Sequence, residues 1–108
     1  MPPLSEPVFQ ILLSLVDADL HGYAIILDIR QRTEGRLQLT ASTLYAALSR
    51  LLADGSIEEV TAPADNTDER RRYYHLTADG RAIAQREAER LAALTTMARA
   101  KRLLLRKA

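Results

Sequence analysis

Ser42, Thr43, Tyr45, Ala46, Ser49 and Arg50 fall in one short stretch threaded by leucines at 44, 48, 51 and 52. Serine and threonine hydroxyls bond to several base edges, a threonine methyl touches a thymine methyl, and an arginine forks onto guanine. Small residues at Ala41, Ser42 and Ala46 allow such a helix to lie deep in a groove. An amphipathic helix with a merely solvated face has the same pattern. Arg70, Arg71 and Arg72 form a second basic group, suited to phosphate oxygens. Asp65, Asp68 and Glu69 stand just before them and offer pairing within the chain instead.

His21-Gly22-Tyr23 is a third candidate. A helix starting there presents free N–H groups to a phosphate, and the glycine permits close approach of a neighbour. A capping or surface role for His21 is the plainer alternative. Tyr73 and Tyr74 alternate across a strand, so one packs inward and the other faces the groove or solvent. The order in which they do so stays open.

Other chemistries find little material. The chain has no cysteine, and His21 and His75 are far apart without carboxylates at ligand spacing, so no metal site is expected. There is no glycine-rich phosphate loop and no Ser/His/Asp arrangement of familiar spacing. The expectation is a protein that is not an enzyme and holds no cofactor.

These groups need a scaffold, and 108 residues suffice for one domain. Its 47% apolar and 27% charged residues are ordinary for a globular chain. No apolar run approaches the ~20 residues of a membrane span. The start, Met1-Pro2-Pro3, lacks the pattern of a signal peptide, so the expected location is cytoplasmic, with no membrane partner. A net charge of +1 is silent about nucleic acid, which leaves the argument to charge placement.

Ser5 caps a first helix carrying Val8, Ile11, Leu12, Leu15 and Val16 inward, ended by Asp17-Ala18-Asp19. A second runs from Leu20 to Thr33 with Ile25, Ile26 and Ile29 inward, and Gly35 stops it. The third opens at the Thr40 cap and closes at Gly55. Ile57–Val60 and Arg72–Leu76 then pair as a β-hairpin across a loop at 61–69. Thr77 caps a last helix reaching about Leu105, whose stripe includes Ile83, Leu91, Leu94, Met97 and Leu104. Nothing later in the sequence covers that stripe, so it is expected to meet a second copy. The terminal Lys101, Arg102, Arg106 and Lys107 suit the negative end of that helix.

The fold class is therefore mainly α with one β-hairpin. A winged helix-turn-helix over residues 1–76 is followed by a long C-terminal dimerisation helix over 77–108. In this architecture the third helix enters the major groove and the hairpin reaches flanking phosphates or the minor groove. The expected partner is double-stranded DNA. A winged helix that binds another protein is the competing reading, favoured by the near-neutral charge and the acidic loop.

Four stretches resemble the PadR-like transcriptional regulators in their short form with one C-terminal helix. They are Glu6–Leu12, Leu20–Ile25, Thr43–Leu51 with Asp54-Gly55, and Arg71–Gly80, in the family's order and spacing. The resemblance implies a homodimeric repressor on a palindromic operator, released by a small molecule or another signal. It places Ser42, Thr43, Tyr45 and Arg50 on the recognition helix, His21 and Tyr23 near the DNA backbone, and Arg71 and Arg72 on the wing. Ala41 and Ala46 stand where the family commonly has proline, and the wing lacks a glycine. Some members stack flat ligands on a tryptophan of the last helix. This chain has no tryptophan, and its last helix has no aromatic residue.

Overall fold

A computed structural model describes residues 2–63 and 71–104. The elements run α1 (Glu6–Ser14), β1 (Leu20–His21), α2 (Gly22–Arg32), α3 (Ala41–Ala53), β2 (Ile57–Val60), β3 (Tyr73–Leu76) and α4 (Ala78–Ala100). Among the described residues, three of the four helices start on the hydroxyl predicted for them. Ser5 Oγ accepts from the Val8 N–H, Thr40 Oγ1 from Thr43 (3.1 Å) and Thr77 Oγ1 from Gly80 (3.0 Å). Such caps satisfy amides that the helix itself leaves without partners. At the other ends, Gly35 and Gly55 take left-handed backbone with φ of +81° and +76°, as a stop at each requires.

The start of α2 differs from expectation. Leu20 and His21 are not helical but form β1, which pairs antiparallel with β3 through Leu20↔Tyr74 and His21↔Tyr73. The predicted hairpin is thus the larger part of a three-stranded sheet of order β1-β3-β2. Its register sets Ile57 opposite Leu76 and Glu59 opposite Tyr74. His21 becomes the cap of α2, its Nδ1 accepting from the Ala24 N–H at 3.2 Å. The first helix also stops earlier than Asp17. Leu15 caps it, and Leu15 and Val16 turn back to bond the carbonyls of Leu12 and Leu13.

One core joins all the helices and the sheet. Ile11, Leu12 and Leu15 meet Ile25 and Ile29 of α2, Leu44, Leu48 and Leu51 of α3, Ile57, Tyr74 and Leu76 of the sheet, and Ala84 of α4. The edge between α1 and α2 is polar. Arg32 bonds Asp28 (2.8 Å), the Gln10 carbonyl (3.1 Å) and Ser14 Oγ (2.7 Å). Partial burial alone would raise the Asp28 pKa, but hydrogen bonds from Arg32 and Ser14 outweigh it and hold the carboxyl below its ordinary value.

The last helix has two parts. Its first half belongs to the core, with Ala84 buried and Ile83 packed against the same cluster. Ile83, expected in the dimer stripe, is partly buried against this core. Glu87 is buried as well, accepting from Arg90 Nε (3.0 Å) and the Leu4 N–H (3.3 Å). Beyond it Leu91, Leu94 and Met97 stand 38%, 47% and 62% exposed, a row of large apolar side chains with little covering them.

The helix ends at Ala100 and not near Leu105. Arg102 turns left-handed (φ 63°), and the Leu103 N–H closes on the Ala98 carbonyl at 3.0 Å. At 23 residues α4 is about 34 Å long, shorter than the sequence implied. Leu104 therefore lies past the helix, exposed and off the stripe, and Leu105, Arg106 and Lys107 fall outside the described residues. Among the described residues no helix is long and apolar enough to cross a membrane.

Candidate nucleic-acid interface

Leu44, Leu48 and Leu51 bury one side of α3, and Ser42, Thr43, Tyr45, Ala46, Ser49 and Arg50 are all exposed on the other. At about 100° per residue, Ser42, Ala46 and Ser49 point most directly away from the core. Tyr45 and Arg50 lie on opposite flanks of that small-residue ridge, about 140° apart around the axis. A ridge of small residues with larger polar groups on its shoulders suits insertion between the walls of a groove. Thr43 is partly committed, since its backbone N–H goes to the Thr40 cap and its Oγ1 accepts from the Thr40 hydroxyl at 3.0 Å. Its own hydroxyl proton remains available to an outside acceptor.

On the Tyr45 flank a cleft of about 590 Å³ opens between α3, the start of α2 and the sheet. It brings together His21, Tyr23, Tyr45, Ser49, Arg71 and Arg72, six of the residues singled out from sequence. Its lining includes no carboxylate among the described residues. Donors converge there, and the chemistry they suit is that of an anion.

His21 sits at the centre of this arrangement. Tyr73 meets its ring edge-on at 5.3 Å, and Arg71 Nη1 lies 3.3 Å from its Nε2. Nδ1 accepts the Ala24 amide, which leaves Nε2 as the ring atom that meets Arg71. The imidazole and the guanidinium stand side by side at the cleft, an arrangement suited to an anion. The plain role for His21, capping a helix, and its place in the cleft are one geometry.

Of the two tyrosines left open, Tyr74 is the inward one, 3% exposed, and Tyr73 is half-buried on the outer side against His21. Burial, then nearby Tyr45 and the Glu59 carboxylate, push the Tyr74 phenol above its ordinary pKa. Its hydroxyl therefore stays protonated, a neutral member of the cleft wall.

Arg70, Asp65, Asp68 and Glu69 lie outside the described residues. Arg72 faces Glu59 of β2 at 3.8 Å across an exposed pair. Only the strand register brings Glu59 to the arginine, so no local sequence signal announces the pair. The neighbour that approaches Gly22 closely is Tyr45: a Cβ on Gly22 would lie 2.5 Å from the Tyr45 hydroxyl. Among the described residues no group of three or more histidines, cysteines or carboxylates is placed to hold a metal.

The model of the family described as transcriptional regulator PadR-like matches residues 11–86, from α1 into α4. Two curated relatives are similar in part. One is an uncharacterized 37.1 kDa protein of a Streptomyces fradiae transposon, 38% identical over 85 residues, covering 79% of this chain and 23% of that protein. The other, protein X of Lysinibacillus sphaericus, is 33% identical over 72 residues, 67% of this chain and 65% of that one. The chain spans less than two thirds of either relative.

Among solved structures, a transcriptional regulator from Clostridium thermocellum is 28% identical with a TM-score of 0.71, over 83% of this chain and 86% of that one. A PadR family regulator from Clostridium difficile has the same fold at 22% identity, with a TM-score of 0.75 over 88% and 96%. Bacillus subtilis PadR, solved in complex with operator DNA, matches in fold at 23% identity with a TM-score of 0.64, over 75% and 46%.

Proposed function

The chain belongs to the PadR-like family of transcriptional regulators, which are not enzymes, and from that premise we propose that it is a homodimeric repressor of a palindromic operator. A small molecule or another signal releases it. It acts in the cytoplasm, where the DNA is. The observation that carries this reading is the continuity of the exposed polar side of α3 with a cleft that gathers His21, Arg71 and Arg72 and, among the described residues, no carboxylate. Ser42, Thr43, Ala46, Ser49 and Arg50 would enter the major groove, while His21, Tyr23, Arg71, Arg72 and Tyr73 would follow the backbone beside it. Leu91, Leu94 and Met97 would pair with the same row on a second copy. Two recognition helices would then stand about one DNA turn apart, ~34 Å.

The test is binding to duplexes from the gene's own upstream region, with Arg50→Ala and Arg71→Ala alongside. Arg50→Ala should weaken the preferred duplex selectively. Arg71→Ala should weaken all duplexes and flatten the slope of log affinity on log salt by about one. A wild-type protein with no preference among duplexes would overturn the proposal in favour of the protein-interaction module.

A further inference from the structure

Tyr45 is the largest side chain on the exposed side of α3, and it does not stand on the ridge. The ring leans toward α2, with its hydroxyl 2.5 Å and its Cζ 2.9 Å from where a Cβ of Gly22 would sit. Those separations are too short for any real side chain, so the ring lies down only because residue 22 has none. Gly22 is buried and opens α2, next to the His21 cap. The hydroxyl is therefore carried sideways, into the cleft that holds His21, Arg71 and Arg72.

The periodicity of α3 agrees. Tyr45, Ser49 and Leu52 line that cleft, whereas Ser42, Thr43, Ala46 and Arg50 do not. When the ridge of Ser42, Ala46 and Ser49 occupies a groove, a side chain on the flank meets the groove wall, which is sugar and phosphate.

We propose that Tyr45 donates its hydroxyl to a backbone phosphate of the bound DNA and reads no base, and that Gly22 is the positioning residue that turns it there. The inference rests on the DNA-binding reading above and assigns to this member of the recognition helix a part in affinity alone. A neutral phenol displaces no counterion, so its contact strengthens binding without adding to the salt dependence. That signature separates it from Arg71 and Arg72 in the same cleft.

The experiment is selection of preferred duplexes from a random pool by the wild type and by Tyr45→Phe, followed by affinity measurements against salt. Tyr45→Phe keeps the ring, and circular dichroism checks that it folds. The expected result is an unchanged selected sequence, an affinity lower by about tenfold on every duplex, and an unchanged salt slope. A selected sequence altered at one base position would overturn the proposal, as would an affinity equal to the wild type's. Gly22→Ala should reproduce the Tyr45→Phe loss, and the double variant should lose little more than either alone. Fully additive losses would remove Gly22 from the positioning role. A wild type that binds no duplex would sink the underlying DNA-binding reading, whereas binding that Tyr45→Phe leaves intact would sink only the role of Tyr45.

Discussion

Gly80, in the first turn of α4, rests directly on the main chain at Ser56: a Cβ there would lie 1.9 Å from the Ser56 carbonyl oxygen. The same carbonyl takes hydrogen bonds from the Thr77 amide (3.2 Å) and hydroxyl (2.9 Å). The turn after α3 and the start of α4 thus meet backbone to backbone, with a Leu76 methyl crowding the same spot at 2.8 Å.

Gly80→Ala should accordingly destabilise the fold by about 3 kcal/mol, the upper end for overpacking, because the whole helix must shift. Urea unfolding by circular dichroism measures this. A change below about 0.5 kcal/mol, typical of a neutral surface site, would contradict the contact.

His21→Asp should separate stability from binding. Aspartate caps helices well and suits the positive end of α2, so stability should hold within about 0.5 kcal/mol. The new carboxylate would face the place proposed for a phosphate beside Arg71, and affinity for DNA should fall by at least about tenfold. Thermal unfolding and fluorescence anisotropy together check it.

Glu59→Gln should tighten DNA binding by roughly threefold by releasing Arg72 from the Glu59 carboxylate, with stability nearly unchanged, since exposed pairs contribute at most about 1 kcal/mol. A titration at low and moderate salt reads the difference. Weaker binding in the variant would place Arg72 outside the phosphate contacts.

Leu94→Glu with Met97→Glu should leave a folded monomer, because both side chains are largely uncovered within one chain. Sedimentation equilibrium should show dimer dissociation strengthened by at least about tenfold, with operator affinity falling alongside. A dimer of unaltered stability would place the interface elsewhere.

Acid should weaken the fold through Glu87. Hydrogen bonding from Arg90, with a further bond from the Leu4 amide, holds its folded pKa below the ordinary 4.5 despite burial. Its contribution to stability is thus complete above that unfolded value and is lost as pH falls through the lower folded one. Urea midpoints of the wild type should drop across that range, and Glu87→Gln should drop less steeply. Parallel curves would assign the acid sensitivity to other carboxylates.

Much of this fold was legible because its signals are local. Ser5, Thr40 and Thr77 announce helix starts by their own hydroxyls, Gly35 and Gly55 announce ends, and the leucine spacing of α3 separates its buried side from its exposed one. What escaped depends on distant partners. A two-residue strand at Leu20–His21 has no periodicity of its own and exists because Tyr73 and Tyr74 pair with it. Glu59 reaches Arg72 only through the register of β2 on β3. The early end of α4 carries no glycine or proline, since Arg102 itself adopts the left-handed conformation. Ile83 and Met97 look alike in a helical stripe. Only the packing of the rest of the chain distinguishes the partly buried one from the one left bare.

Ser42, Ala46 and Ser49 form the crest of α3, and all three are exposed. Substitutions at such positions typically alter stability by less than about 0.5 kcal/mol. On the DNA-binding reading proposed above, the address that such a regulator responds to is therefore separable from its scaffold. On that reading, duplicated copies drift to new control sequences by exchanging these residues together with Arg50, with Gly22, Tyr45 and the core leucines left in place, and a designer retargets it the same way.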